Sequence, residues 1–535
     1  MKKILLGNEA IVRGALESGV QFVSTYPGTP ASEIGNTFFQ LFRNKKFKGY
    51  FEFSTNEKVA MEAGVGASFS GLKTLVAMKN FGLNVAADAF LPFVYTGTKG
   101  PTVIMVADDP SCHSSAQSEE NSRAFAYLAH IPVLEPSDPQ ECKDFTKLAF
   151  KISERFKIPV MVRTTTRVSH QKMPVELGKL ARNVLANGKF VKDPKRFVTM
   201  PPRVLEMKKE LLEKIERIKN FAEELPEGHK GIVQSSALNI GIITSGVSYL
   251  YVMEALQELK LDLPVLKLDF FYPLPEKRIK TFIKKLKKVL VVEELEPYLE
   301  KEVSIIAKKT NCGLQVIGKA LLPETGELKP EIVTAAIAEF TNCKLKIENS
   351  LKIVNLKLKI PKRRPQLCPG CPYWLIFGGV KKAVNEKEVI FGGDIGCYML
   401  AGGAPHFLQD YLSCMGSSIG IAHGIKKATG QKLITFIGDS TFFHAGIPAL
   451  INTIFNKSNP LIIVMDNQTT AMTGHQPHPG VCGVKMEDII KACGVKYLKV
   501  IDPVNQAEFI ETVKEFVQKP EVAVIIARHP CIFVK

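Results

Sequence analysis

The sequence predicts an α/β protein made of parallel sheet layers, and three observations predict it. Between Met1 and about Val175 five strand-like runs, "VQFVSTYPG", "GYFEFST", "KTLVAMKN", "PTVIMVADDP" and "IPVMVRTT", alternate with helical stretches, the pattern of a parallel layer. From "NIGIITSG" to about residue 345, the runs "IGIITSG", "PVLKLDFF" and "KVLVVEEL" form a second, smaller set of the same kind. Near the far end "KLITFI" runs into the turn Gly438-Asp439-Ser440, then into the helical "IPALINTIFNKS" and a further apolar run, "PLIIVMDNQTT". That is a β-α-β unit with polar oxygens at both strand ends. Right-handed crossover puts the two ends on one edge of the sheet, where ligands of open α/β sheets sit. An anion or a metal is therefore expected near Asp439 and Asn467.

A chain of 535 residues suggests about three domains. The first spans 1–175. A polar, lysine-rich bridge at 176–236 follows, in which "RVLEMKKELLEKIERIKNFAEEL" fits a long amphipathic helix. The small layer occupies 237–345, and the last domain, 362–535, opens within "IPKRRPQLCPG", whose prolines and basic cluster mark a boundary.

The hydrophobic content of 45% with 23% charged residues is that of a globular protein. No apolar run approaches the roughly 20 residues of a membrane helix, and "MKKILLGNEA" turns polar too soon for a secretory leader. The expectation is a cytoplasmic chain with no membrane partner. Its net charge of +17 is spread over every segment and is densest in "KRIKTFIKKLKKVL", read as one face of an amphipathic helix. Solvated surface is the first reading of this charge, docking of an acidic protein the second, and nucleic acid the last; no nucleic-acid partner is expected. Eleven cysteines in such a chain are not expected to form disulfides.

A hard cation such as Mg²⁺ wants oxygen ligands and often bridges a protein carboxylate to a diphosphate. Asp439 offers a charged oxygen, Asn467 an amide oxygen, and the backbone carbonyl of Thr469 a third. Gly438 lets phosphate oxygens come close, and the following helix N-terminus favours anions.

Gly-Asp-Gly followed, after a helix and a strand, by Asn-Asn is the signature of thiamine diphosphate enzymes. Here Ser440 replaces the last Gly and Asp466 the first Asn. "GDSTFFHAGIPAL" together with "DNQTTAMTGHQPHPG" resembles the thiamine-dependent (alpha) subunits of indolepyruvate:ferredoxin oxidoreductases, within the 2-oxoacid:ferredoxin oxidoreductase family. The resemblance runs along the whole chain in family order. It implies two thiamine-diphosphate-binding-type parallel-sheet domains, pyrimidine-binding first and diphosphate-binding last, flanking a smaller domain like the transketolase C-terminal one. It implies thiamine diphosphate held by Gly438, Asp439, Ser440 and Asn467, with Mg²⁺ on Asp439, Asn467 and Thr469.

Such enzymes also need a carboxylate on the aminopyrimidine ring, supplied by another domain. "FSTNEKVAMEAGVGASFSG" resembles that segment and offers Glu57 as the catalytic glutamate, with Glu62 as its rival. "GNEAIVRGALESGVQFVSTYPGTPASEI" resembles the opening of the same chains. Thr29 then matches a threonine facing the 2-oxo acid, unless it or Ser32 merely caps a helix. In "ADDPSCHSSAQSEENSR", His113 and Arg123 are candidates for a substrate carboxylate or carbonyl.

Cys368 and Cys371 of "LCPGCPYW", Cys397 of "GGDIGCYML" and Cys531 of "ARHPC" match segments that carry four thiolates of a [4Fe–4S] cluster in the wider family. The same set suits structural zinc, or no metal. The longer members carry a ferredoxin-like tail of C-x₂-C-x₂-C-x₃-C-P runs, which is not expected past Lys535. The activity the resemblance implies is oxidative decarboxylation of aryl 2-oxo acids of the indolepyruvate and phenylpyruvate type to acyl-CoA. Coenzyme A is the co-substrate, a smaller beta subunit the partner in a hetero-oligomer, and ferredoxin the electron acceptor. Its rivals are a non-oxidative thiamine-dependent decarboxylase or carboligase, which needs no electron exit, and an inert scaffold chain.

Overall fold

β-Branched and apolar side chains fill the strand runs on both faces, so each run demands cover on both sides, and helices supply it. In the computed structural model, which describes residues 1–114, 117–181, 187–225, 239–343, 366–412 and 414–534, these runs become parallel strands. The boundary between 236 and 237 and the "IPKRR" part of the later boundary segment lie outside the described residues. The chain falls into two compact units, Met1–Leu358 and Lys359–Lys535.

In the first unit a seven-stranded sheet runs in the order Phe270–Tyr272, Val133–Leu134, Val160–Thr165, Thr102–Asp108, Thr74–Lys79, Phe22–Thr25, Tyr50–Phe53. All neighbours are parallel except the edge strand Phe270–Tyr272, which is antiparallel to Val133–Leu134. Val76, Ile104, Met105, Val106 and Val162 are wholly buried in its middle. A four-stranded parallel sheet follows, in the order Val265–Leu268, Ile240–Ser245, Lys288–Val292, Gln315–Ile317. A small antiparallel pair, Lys2–Leu6 with Lys172–Glu176, escapes the sequence pattern.

Two sequence expectations change here. "PVLKLDFF" is two strands, split at Asp269: Val265–Leu268 stays in the small layer, and Phe270–Tyr272 crosses to the large sheet. Phe270 and Phe271 are buried in the large sheet's core, which draws the chain across. "KRIKTFIKKLKKVL" is not one helix. Glu276–Ile283 is helical, burying Ile279 and Ile283, and Lys288 already begins a strand because "KVLVV" is β-branched and buried. The helix Arg203–Glu224 forms as read, packed both on helices of the first layer and on one of the small layer. Met207, Leu211, Ile215, Ile218 and Ala222 recur at helical spacing and are buried against helices Asn80–Thr96, Pro139–Phe156 and Glu276–Ile283.

The second unit is a five-stranded, all-parallel sheet in the order Val389–Gly392, Lys432–Gly438, Leu461–Asp466, Ala523–Arg528, Tyr497–Ile501. Alternate residues feed two cores, Phe436 and Ile463 on one face and Ile437, Ile462 and Val464 on the other. The register sets Gly438 beside Met465 and Asp466 beside Arg528, so three strand ends meet at one edge. Among the described residues no helix is long and apolar enough to cross a membrane.

Candidate functional site

The sheet edge of the second unit is built around Asp439. The strand Lys432–Gly438 ends at a glycine where a Cβ would stand 2.7 Å from Cε1 of Tyr398, so only glycine lets the turn seat here. Asp439 is buried, and its Oδ1 accepts the Ser440 N–H at 2.7 Å. The chain then makes a single π turn, Phe442–Gly446, before the helix Ile447–Phe455, an irregularity frequent at functional sites.

Across the edge, the turn after Asp466 carries Gln468 at φ +61° and brings Asn467 and Thr469 back, both buried. The inner atom of the Asn467 amide lies 3.2 Å from Asp439 Oδ2 and 2.8 Å from the Thr469 carbonyl oxygen. With nitrogen inward, the amide donates to both, and its oxygen accepts from the Tyr373 hydroxyl at 3.1 Å. With oxygen inward, it accepts the Thr469 N–H at 3.3 Å and faces two further oxygens. Three converging oxygens repel one another unless a cation stands among them. The donor set thus fits Mg²⁺. His478, which no local sequence pattern singles out, places Nε2 3.1 Å from Asp439 Oδ2, while its Nδ1 accepts from Gly480 N–H.

Asp466, the departure from Asn, is held by Arg528 Nε at 2.6 Å. Burial pushes its carboxyl up, helped by the Asp439 charge and opposed by Arg528.

The cysteine quartet converges on the same edge. Cys371 N–H donates to the Cys368 carbonyl at 3.1 Å, the Trp374 indole donates to that same oxygen at 3.1 Å, and Cys531 N–H donates to the Asn467 carbonyl at 3.0 Å. Gly370, at φ +78°, makes the tight turn of the C-x-x-C. Burial pushes the Cys397 thiol up to about 11, with Cys371, Cys531 and Cys368 adding to it. Burial also raises the Cys371 thiol, with Cys368 and Cys531 as further causes. The four are neighbours, yet among the described residues no three or more His, Cys, Asp or Glu are gathered as a ready metal cage.

In the first unit Glu57 opens the helix Glu57–Phe69, whose Asn56 Oδ1 caps Val59 N–H at 2.9 Å. Glu57 is 3% exposed, and its side chain lies so close to Gly82 that a Cβ there would stand 2.7 Å from Glu57 Cγ. Glu62 instead has a side chain 51% exposed beside Lys58. Thr29 is half-buried with Oγ1 3.4 Å from Ser32 Oγ, and neither side chain caps the helix Ser32–Arg43.

His113 is exposed on the loop after the strand Thr102–Asp108. Arg123 has a different occupation from the one expected of it. Its buried guanidinium is forked by Glu135 at 2.7 and 2.6 Å, bonded to Glu293 at 2.6 Å and Ser245 at 2.7 Å, and stacked 4.5 Å from the Phe271 ring centre. These contacts consume the donors a substrate carboxylate would need. Burial opposes the charges, but the arginines hold the Glu135 carboxyl down at about 2.

The chain matches two described protein families. The family described as pyruvate flavodoxin/ferredoxin oxidoreductase, thiamine diphosphate-binding, matches residues 13–227, and the thiamine pyrophosphate enzyme C-terminal TPP-binding domain matches 382–527. The chain is 45% identical to the indolepyruvate oxidoreductase subunit IorA of Methanothermobacter marburgensis, with 98% of this chain and 86% of that one covered. It is 45% identical to the protein of the same name from Methanothermobacter thermautotrophicus, with 99% and 87% covered. Among solved structures, the 2-oxoglutarate:ferredoxin oxidoreductase from Magnetococcus marinus, with 2-oxoglutarate, coenzyme A and succinyl-CoA bound, is similar at a TM-score of 0.51 and 18% identity. That match covers 63% of this chain and 65% of the other, and it is a likeness of fold.

Proposed function

This chain belongs to the IorA family of indolepyruvate oxidoreductases, thiamine-diphosphate-dependent enzymes that oxidatively decarboxylate 2-oxo acids, and from that premise we propose that its substrates are aryl 2-oxo acids, converted to acyl-CoA with electrons passed to ferredoxin. The observation that carries the reading is the convergence of Asp439 Oδ2, the Asn467 amide and the Thr469 carbonyl at one sheet edge. When bound, thiamine diphosphate supplies the electron sink that lets carbon dioxide leave a 2-oxo acid.

Asp439, Asn467 and Thr469 would hold Mg²⁺, with Gly438 and Ser440 lining the diphosphate. The charge that one carboxylate leaves uncompensated on a divalent cation is met by the anionic diphosphate itself. His478 Nε2 stands on the same Oδ2 that a metal would use. Glu57, buried and fixed at a helix start, would hold the proton of the aminopyrimidine ring. Thr29 and His113 remain the groups proposed to face the 2-oxo acid. Arg123 is proposed only to lock its own unit.

For the electrons we propose a [4Fe–4S] cluster on Cys368, Cys371, Cys397 and Cys531. The support is their mutual proximity and the Cys531–Asn467 backbone bond, which ties the quartet to the cofactor edge. A smaller second subunit would complete the enzyme, and the net charge of +17 suits an acidic ferredoxin.

The test is anaerobic purification of this chain with its smaller partner, followed by assay of an aryl 2-oxo acid with coenzyme A and ferredoxin. Acyl-CoA, carbon dioxide and two reduced ferredoxins per turnover are expected, with about four irons per chain on the quartet. Aldehyde formed without acceptor reduction would replace the reading by a non-oxidative decarboxylase. In Cys531→Ser, iron should fall while thiamine diphosphate still binds.

A further inference from the structure

At the carboxyl end of the strand Thr74–Lys79 stands a cation that none of the described residues pairs with. Lys79 pairs with Ala107 in the sheet, one residue before Asp108 and two before Asp109, and is the last residue before the helix Asn80–Thr96. Its stem lies against Gly28, where a Cβ would stand 3.0 Å from Lys79 Cγ and 3.1 Å from Cδ. Its ammonium is 5.1 Å from the Phe81 ring centre. Among the described residues it makes no hydrogen bond and no ion pair.

Three carboxylates act on it from a distance, Glu57, Asp109 and Glu120. Two of them are spent elsewhere. Asp109 accepts from Thr166 Oγ1 at 2.6 Å and Ser114 N–H at 2.6 Å, and Glu120 accepts from Asn84 at 2.9 Å. Burial outweighs their attraction and lowers the lysine's pKa. The next residue, Asn80, is fully buried, and neither atom of its amide has a partner among the described residues.

A largely buried cation without a counter-ion among the described residues costs stability, and the nearby carboxylates of Glu57, Asp109 and Glu120 would by themselves repel an anion. Both facts are accounted for if the missing counter-ion arrives with the ligand. We propose that Lys79 receives the carboxylate of the 2-oxo acid, beside Gly28-Thr29 and Glu57; this rests on the functional reading above. Phe81, over which the ammonium sits, keeps that charge positioned without neutralising it.

The experiment uses the assembled enzyme and two probes, 3-phenylpropionate and 3-phenylpropionamide, which differ in the carboxylate alone. In Lys79→Met and Lys79→Gln the acid should bind at least tenfold more weakly, as expected for loss of a charge-assisted hydrogen bond, and the amide within twofold of wild type. Lys79→Arg should restore most acid binding, and thiamine diphosphate affinity should stay unchanged in all three. The KM for every 2-oxo acid should rise by a common factor, since all share the carboxylate. Equal loss of both probes, loss of neither, or loss of cofactor binding overturns the assignment. Wild-type enzyme that neither turns over a 2-oxo acid nor binds the acid probe overturns the functional reading itself. Wild type that does both, with Lys79→Met indistinguishable from it, removes the lysine's role alone.

Discussion

Asp439 is the sole charged member of the proposed Mg²⁺ set, so Asp439→Ala should weaken Mg²⁺-dependent thiamine diphosphate binding at least tenfold, measured by titration with and without the metal. Glu57→Gln keeps the shape packed against Gly82 but cannot exchange the proton. It should bind cofactor normally and lose about a hundredfold or more in turnover. Near-normal turnover would move the role away from Glu57, and exposed Glu62 would be tried next. Asp439 and Asn467 are legible because a strand, a polar turn and a helix are local grammar. Arg123 was not, since its partners Glu135, Ser245 and Glu293 lie 12, 122 and 170 residues away, and no local pattern announces that a basic side chain is already engaged. His478 escaped for the same reason: only the return of its loop puts it on Asp439.

At the scale of elements, the helix Arg203–Glu224 joins two layers by packing one face on both. Leu211→Ala removes a side chain 1% exposed in the unit's core and should cost about 2–5 kcal/mol in denaturant unfolding. Its neighbour Leu212 is 42% exposed, and Leu212→Ala should change stability by less than about 0.5 kcal/mol. Equal, small effects would show that this face of the helix is not packed. The parallel strands were legible from β-branched runs between turn signals. The break at Asp269 and the two-residue strand Val133–Leu134 were not, because which sheet a short apolar run joins depends on the surface waiting for it, and two residues carry no period. The lysine-rich stretch misled because like charges continue smoothly from the helix Glu276–Ile283 through a turn into the strand at Lys288, while the change in buried neighbours does not show in charge.

For the whole molecule, the buried acid Glu294 sets a pH dependence. Burial pushes its carboxyl up to about 7, with Leu328 N–H at 3.2 Å as its backbone donor. The folded state therefore holds a proton that the unfolded chain has released above its ordinary carboxylate range, and stability falls as pH rises from about 4.5 to about 7. Glu294→Gln can still accept from Leu328 and does not titrate. Its stability in denaturant unfolding should therefore rise relative to wild type between about pH 5 and about pH 8, by an amount on the order of 3 kcal/mol. A constant difference across that range would show that Glu294 is not the group.

The edge strand Phe270–Tyr272 also sets a timetable. During synthesis, every other strand of the seven-stranded sheet has left the ribosome once Thr165 has emerged, yet the rim at Val133–Leu134 stays open until Tyr272 follows. For that interval the nascent chain presents bare backbone donors and acceptors flanked by apolar residues, a template for neighbours on the same message. A polypeptide released before Phe270 should accordingly accumulate as aggregate, whereas one extended past Tyr272 can close its own rim.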